Sequence, residues 1–93
     1  MILWSGPARD DLAELRSFLS DRDPALASRT TLAILDAVER LADRPALGRP
    51  GRVPGTREWS LRRPPFLIVY RMAEDGIEVI RVLHTARQWP QKI

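Results

Sequence analysis

The chain has 93 residues, of which 44% are apolar and 29% charged, a composition that predicts one folded domain covering residues 1–93. No stretch approaches the roughly 18 to 20 apolar residues of a membrane span. Acidic Asp10 and Asp11 follow Trp4 too closely for a secretory signal, so we expect a cytoplasmic protein without membrane contact. The absence of cysteine excludes disulfides, zinc–thiolate sites and thiol catalysis.

The net charge of +3 is divided unevenly along the chain. Residues 1–43 carry five arginines against eight carboxylates, a net charge of −3. Residues 44–93 carry nine arginines and Lys92 against four carboxylates, a net charge of +6. A preference for arginine over lysine explains the choice of cation but not this division. The basic half is therefore the part expected to meet nucleic acid, phosphate or an acidic partner.

The first two predicted elements are a short strand and a helix. Residues 1–4 form an apolar run that ends at a Ser-Gly pair, which favours a strand. Pro7 then suits the first turn of a helix over about residues 7–20, and Asp10 and Asp11 lie near its start, where the helix dipole favours anions. The apolar face of this helix has spacings of four, three and four residues: Ala8, Leu12, Leu15 and Leu19.

A second helix is predicted from Asp23 and Pro24 to about Asp43. Asp23 is a typical N-cap and Pro24 a typical first helical residue. Ala27, Ile34, Val38 and Leu41 form its apolar face. Because the connection between the two helices is short, we expect an antiparallel helical hairpin.

Residues 44–55 contain three prolines and three glycines, which predicts a loop without regular structure. Residues 56–61 alternate enough to form a strand. Residues 66–72 are apolar on both faces, which is typical of a central strand. A turn over residues 73–76, with Asp75 and Gly76 as its central pair, leads to a partner strand over residues 77–84.

The predicted order is strand, helix, helix and three strands. This order predicts an α+β fold, in which a twisted, mainly antiparallel sheet with an N-terminal strand carries a two-helix hairpin on one face. The opposite face of the sheet is expected to be solvent-exposed or a binding surface.

Few catalytic patterns are present. A single histidine gives no histidine pair for a metal ion, and the Gly48-Arg49-Pro50-Gly51 segment lacks the features of a phosphate-binding loop. We therefore expect no metal and no cofactor. The remaining candidates are the arginines of the basic half and His84.

Three arginines lie in predicted strands, and each has a structural and a functional interpretation. Arg57 opens a strand and can pair with a nearby carboxylate or a backbone carbonyl. Arg71 ends the central strand, where a charge needs a partner or an opening. Arg81 interrupts the last strand across the hairpin from Arg71, and its structural interpretation is a cross-strand pair with a carboxylate such as Glu58.

Three further candidates lie at the end of the chain. His84 closes the last strand, where a histidine is more often structural than catalytic. Arg87 would add positive charge beside it. Trp89 is followed by proline and is interpreted as a lid on the core, with stacking on a nucleic-acid base as the alternative.

The order of these motifs resembles the RelE/ParE superfamily of toxins from type II toxin–antitoxin systems. The likeness rests on residues 55–59, 66–72 and 77–90, and on the Pro-Ala-x-x-Asp-Leu start of the first helix at residues 7–12. It covers essentially the whole chain and rests on the series of motifs, with no single decisive one. The superfamily fold agrees with the order of elements derived above.

The resemblance implies an antitoxin protein as partner and leaves two mechanisms open. ParE-like members inhibit DNA gyrase and need no hydrolytic groups. RelE-like members are endoribonucleases that cut mRNA on the ribosome. On the RelE-like interpretation, Arg71 corresponds to the phosphate-stabilising arginine, and His84 or Arg87 to the acid–base residue. On either interpretation, the expected target- or antitoxin-binding residues are Arg57, Arg71, Arg81, His84, Arg87 and Trp89.

Departures from the RelE-like pattern favour the ParE-like interpretation. Lys92 is the single lysine, Thr85 stands where that subgroup has an arginine, and the single tyrosine, Tyr70, lies inside a strand. A third hypothesis is an inactive toxin that acts as an antitoxin-binding co-regulator. In that case the antitoxin would make most of the contacts with promoter DNA.

Overall fold

The structure is a computed structural model that describes residues 1–63 and 65–85. A short 3-10 turn at Pro45–Leu47 connects the helical part to the sheet. The helices and strands, in chain order, are β1 (Ile2–Trp4), α1 (Gly6–Ser20), α2 (Pro24–Asp43), β2 (Arg49–Pro50), β3 (Arg57–Ser60), β4 (Phe66–Ala73) and β5 (Gly76–His84).

Both helices begin at side-chain caps. The Ala8 N–H donates to Ser5 Oγ at 3.1 Å, and the Leu26 N–H donates to Asp23 Oδ1 at 3.1 Å. The predicted cap at Asp23 is confirmed. Because α1 begins at Gly6, its acidic residues lie beyond the first turn, so the predicted stabilisation of these anions by the helix N-terminus is wrong. Neither helix, within the part of the chain that the structure describes, is long and apolar enough to cross a membrane.

The five strands form one sheet in the order β1-β5-β4-β3-β2. β1 runs parallel to β5, and the other neighbouring pairs are antiparallel. The predicted α+β fold with a helical hairpin and a mainly antiparallel sheet is confirmed. β4 lies at the centre of the sheet, and its first five residues are buried, as expected for a strand that is apolar on both faces.

The main core lies between the helical hairpin and one face of the sheet. Phe66, Ile68 and Tyr70 of β4 belong to this core, together with the apolar face of α2. Leu67 and Val69 point to the opposite face because side chains alternate along a strand. Both are nevertheless buried, so the centre of the helix-free face is not an open, solvent-exposed surface.

The loop predicted over residues 44–55 is more ordered than its proline content indicated. It contains the Pro45–Leu47 turn and the two-residue strand β2, in which Arg49 lies opposite Glu58 and Pro50 opposite Arg57. The prediction of no regular structure is therefore wrong. Proline is tolerated in β2 because β2 is an edge strand.

The turn between β4 and β5 also differs from its prediction. Ala73 pairs with Gly76, so the turn residues are Glu74 and Asp75. Gly76 adopts a φ of 146°, and a side chain there would collide with the Met1 backbone. The Ile77 N–H donates to the Met1 carbonyl at 3.2 Å. Glycine is thus needed where β1 approaches β5, and not at the centre of the turn.

Candidate functional site

A cavity of about 1070 Å³, the groove, opens where β4 begins and β5 ends, beside the helical hairpin. Its helical wall carries a group of apolar residues of α1 and α2, Leu15, Phe18, Leu19 and Leu26, and also the charged residues Asp11, Glu14 and Arg29. Its other wall includes Phe66 and His84 at the end of the sheet and three arginines, Arg49, Arg52 and Arg63. The groove therefore combines an apolar part and a cationic part.

The helical wall exposes an aromatic ring held by a cation. Phe18 is 46% exposed, and the Arg22 guanidinium carbon lies 3.9 Å from the centroid of its ring. Arg22 Nη1 also donates to the Phe18 carbonyl at 3.1 Å, which satisfies an acceptor at the C-terminal end of α1. An exposed ring fixed in this way is suited to contact with an apolar partner surface.

His84 is the last residue of β5 and lines the groove. It is directly opposite Phe66 in the sheet, and the two rings meet edge to face with centroids 5.1 Å apart. Its side chain is half-buried. His84 is thus packed against the sheet and also accessible to a molecule that enters the groove.

Arg81 is held by α1. Its Nε donates to Asp11 Oδ2 at 2.7 Å and its Nη2 to Asp11 Oδ1 at 2.9 Å. The hydrogen bonds to Asp11 raise the pKa of the Arg81 guanidinium. The predicted partner, Glu58, is wrong because Arg81 lies opposite Val69, with Asp11 within reach on the other side.

Asp11 has a second role at the edge of β5. β1 pairs with β5 only as far as Val79, so beyond that residue the edge of β5 that faces away from β4 has no neighbouring strand. Ser5 Oγ donates to the Ile80 carbonyl at 2.8 Å, and the Val82 N–H donates to Asp11 Oδ2 at 3.0 Å. Side chains from the start of α1 thereby replace the missing strand.

Arg71 lies at the other end of the hairpin and forms an ion pair with Glu78 at 2.5 Å. These residues are directly opposite each other, so the prediction that Arg71 faces Arg81 is wrong. Since His84 pairs with Phe66, Arg71 is five residues away along β4, or about 17 Å. The structure does not bring Arg71 and His84 into one site.

Arg57 supports the loop that precedes β2. Its Nη1 donates to the Gly48 carbonyl at 2.6 Å and to the Ala46 carbonyl at 3.4 Å. This matches the backbone-carbonyl partner that its structural interpretation named. Tyr70, opposite Arg57, donates its hydroxyl to the Pro45 carbonyl at 2.6 Å and accepts the Gly48 N–H at 2.8 Å. Burial raises the pKa of the Tyr70 hydroxyl.

Glu58 holds the next part of the same loop from the helix-free face. It is only 3% exposed and lies opposite Arg49. Its Oε2 accepts the Arg52 N–H at 3.0 Å, and its Oε1 lies 3.6 Å from the Arg49 guanidinium. A buried carboxylate thus fixes the backbone that carries two of the groove arginines.

Arg87 and Trp89, predicted as site residues, lie outside the described residues. Sequence analysis missed Asp11, Glu58 and the groove arginines as parts of the site. Asp11 carried a usable signal, because it is three residues after Ala8 and four before Leu15, which places it beside the apolar face of the helix. No cluster of metal-ligating side chains occurs among residues 1–63 and 65–85.

Comparison with known structures first shows the class of protein. The chain matches a solved structure described as "Chromosomal ParDE TA system from P. aeruginosa", with a TM-score of 0.77 and 27% sequence identity. The match covers 89% of this chain and 92% of the other. The fold is therefore that of a RelE/ParE superfamily toxin, as the order of sequence motifs indicated.

Sequence comparison then shows the family. The model of the family described as "ParE toxin of type II toxin-antitoxin system, parDE" matches residues 2–89, and the chain belongs to this family. "Putative toxin Y4kP" of Sinorhizobium fredii is 41% identical, covering 97% of this chain and 93% of the relative. "Toxin RelE3" of Caulobacter vibrioides is 35% identical, covering 86% and 89% respectively. The protein is a toxin of a type II toxin–antitoxin system, and this membership implies an antitoxin partner.

Proposed function

We propose that this toxin inhibits DNA gyrase by binding to it, without a hydrolytic step of its own. The observation that carries the proposal is the position of Arg71, which pairs with Glu78 about 17 Å along the sheet from His84. Cleavage of a phosphodiester requires an acid–base group and a phosphate-stabilising cation that converge on one phosphate. Of the residues matched to those roles, Arg71 and His84 do not converge, and Arg87, the other acid–base candidate, lies outside the described residues.

The state of Arg81 supports the same proposal. Two hydrogen bonds to Asp11 occupy its guanidinium, and hydrogen bonding to Asp11 is the main cause of its raised pKa. A guanidinium with a raised pKa keeps its proton and is a poor acid–base catalyst. Arg81 therefore serves to hold α1 on the sheet, and it leaves target recognition to other surfaces.

We further propose that the groove is where the antitoxin binds. The apolar residues of its helical wall fit the apolar face of a partner helix, and its arginines fit an acidic segment. Such a segment can be disordered when free and fold on binding. Because part of the attraction is between exposed charges, the affinity is expected to fall as salt concentration rises.

One observation favours mRNA cleavage on the ribosome as a second candidate function. His84 and Arg63 line the same groove, so a histidine and a cation are both accessible from one cavity. In this alternative, His84 would exchange protons with the RNA and an arginine of the groove, not Arg71, would stabilise the phosphate.

Two assays on the purified chain distinguish these functions. One measures DNA supercoiling by gyrase, and the other maps the ends of translated mRNA by primer extension. We expect supercoiling to be inhibited by the wild-type chain and by His84→Ala alike, with mRNA left intact. Cleavage in the ribosomal A site that is lost in His84→Ala would overturn the gyrase proposal.

Expression in cells tests whether the toxin is active at all. We expect expression of the chain alone to stop growth, and co-expression of the antitoxin encoded beside it to restore growth. Circular dichroism of the purified chain provides the control for folding. Normal growth in the presence of folded protein would instead support the inactive, co-regulating toxin.

A further inference from the structure

The connection between β2 and β3 is longer than a hairpin requires. Pro50 pairs with Arg57, so the six residues 51–56 join two adjacent antiparallel strands. Two-residue turns are the most common connection of this kind. Residues 51–56, the β2–β3 loop, therefore do more than reverse the direction of the chain.

The β2–β3 loop is held in one shape by its own backbone and by the sheet. The Gly51 N–H donates to the Thr56 carbonyl at 2.8 Å, and the Thr56 hydroxyl donates to the Val53 carbonyl at 2.7 Å. The Arg52 N–H donates to Glu58 at 3.0 Å, and Glu58 is almost completely buried. Burial of a carboxylate is costly unless it is hydrogen-bonded. The fold thus uses a buried charge to fix the shape of an exposed loop.

Apolar side chains are exposed on and beside this loop. Val53 is 40% exposed at its tip, and Pro54 next to it is exposed as well. A shallow depression of about 250 Å³, the notch, lies against the loop and is lined by Pro50, Gly55, Thr56, Arg57 and Met72. Met72 is 48% exposed, and no residue of β3 lies beside it because β3 begins at Arg57, opposite Tyr70.

The size and the charge of this surface indicate the kind of partner that it fits. A volume of about 250 Å³ is below the roughly 300 to 1,000 Å³ of small-molecule sites, so the notch fits a side chain of another protein. Residues 44–58 carry four arginines and a single carboxylate, the buried Glu58. The β4–β5 turn adds two exposed carboxylates, Glu74 and Asp75. Because the arginines outnumber these carboxylates, the surface attracts an acidic partner.

We propose that the β2–β3 loop and the notch form the surface through which this toxin binds gyrase, with an apolar side chain of gyrase in the notch and a second contact on Val53. This inference rests on the proposed inhibition of gyrase and adds the place where gyrase binds. A loop that is already ordered loses little conformational freedom on binding. DNA would contact the arginines but would gain nothing from Val53 and Met72, so the exposed apolar groups favour a protein.

The double variant Val53→Ser/Met72→Ser tests this surface without changing its charge. The full chain is titrated into a supercoiling reaction, and the toxin concentration that inhibits gyrase by half is measured. We expect this concentration to rise by about tenfold or more. The matched control is Leu3→Ser/Leu32→Ser, which shortens two exposed side chains outside the loop and the notch. It is expected to stay within about twofold of wild type.

Two further measurements distinguish gyrase from other partners of the same surface. Co-purification with the antitoxin encoded beside the toxin is expected to be unchanged in Val53→Ser/Met72→Ser, because neither residue lines the groove. Fluorescence anisotropy with a labelled DNA duplex is expected to give the same affinity for the variant and the wild type, because both substitutions are neutral.

Four results would overturn the proposal: half-inhibition of gyrase by the double variant at the wild-type concentration, an equal loss in the control, loss of the antitoxin complex by the folded variant, or a parallel loss of DNA affinity. Melting curves show whether each variant is folded. If the double variant does not fold, Val53→Ser at the tip of the loop is used alone. A wild-type chain that leaves gyrase active would refute the proposed function itself, whereas equal inhibition by wild type and variant refutes only the surface.

Discussion

The two ends of the β4–β5 hairpin differ in what their charged residues contact. At the turn end, Arg71 pairs with Glu78, and Gly76 allows Met1 to approach closely. At the other end, His84 and Arg63 border a cavity of about 1070 Å³. At the turn end the arginine is paired within the chain, whereas at the groove end His84 and Arg63 lie on the wall of an open cavity.

Asp11 contacts β5 at the boundary between these two ends of the hairpin, just beyond the last residue that pairs with β1. Up to Val79, β5 is covered by β1, and beyond it Ser5 and Asp11 bond to its backbone. The comparison shows that a cation in a strand is weak evidence for a binding site until its partner is known. Substitutions that alter contacts of the hairpin test this comparison.

The largest effect is expected for Asp11→Ala. This change removes the acceptor of two Arg81 hydrogen bonds and of the Val82 N–H, and it leaves a half-buried guanidinium without a partner. We expect the free energy of unfolding to fall by about 3 kcal/mol. Urea denaturation followed by tryptophan fluorescence measures it.

Asp10→Ala is the matched control for Asp11→Ala. Asp10 is adjacent and exposed, and its replacement is expected to cost less than about 0.5 kcal/mol. Similar losses in the two variants would show that the Asp11 contacts do not stabilise the fold, and that the border drawn between the two ends of the hairpin is misplaced.

A smaller loss is expected for Tyr70→Phe, which tests how firmly the loop before β2 is held. The change removes the hydroxyl that bonds to Pro45 and Gly48 in the loop before β2. Because both backbone groups lose their partner, we expect a loss of about 2 kcal/mol, measured in the same denaturation experiment.

Tyr70 also predicts a dependence of stability on pH. Burial raises its pKa in the folded chain, whereas the unfolded chain releases this proton near the ordinary value of about 10. Above that pH the folded state binds more protons, so stability is complete below it and falls as pH rises further. As Tyr70 is the single tyrosine, Tyr70→Phe should show a shallower loss. Identical slopes in the two proteins would contradict the prediction.

The sequence was sufficient to predict the fold because its signals were local. Asp23 and Pro24 marked the start of α2, and the apolar run at residues 66–72 marked the central strand. The strand β2 was missed because its pairing depends on Glu58, which is close in space but not recognisable as a partner from proline and glycine content.

The site was harder to predict because each charge depended on a distant partner. Arg81 and Asp11 are 70 residues apart in the sequence. They meet because β1 ends at Trp4, which leaves the edge of β5 beyond Val79 open to side chains from the start of α1. Two of the groove arginines, Arg49 and Arg52, lie in a segment predicted to be a loop without regular structure, whereas Tyr70, Arg57 and Glu58 hold it. Strand register and loop anchoring, which are tertiary properties, decided which cations line the groove.

The smallest effect on stability is expected for Arg71→Gln at the turn end. Arg71 is exposed, and an exposed ion pair such as Arg71–Glu78 contributes about 0.2 to 1 kcal/mol. Glu78→Gln is the matched control, because it breaks the same pair from the other side. We expect the two variants to lose similar small amounts of stability and both to inhibit gyrase and arrest growth.

Arg71→Gln is also the sharpest test of the proposed mechanism. If Arg71 stabilised a phosphate during RNA cleavage, its loss would lower activity by two to three orders of magnitude, since removal of one such charged donor has that effect. Glu78→Gln, which frees the arginine, would leave activity high. Growth arrest that disappears in Arg71→Gln but persists in Glu78→Gln would show that the turn end is functional. Arrest that persists in both would place recognition of the target outside the Arg71–Glu78 pair.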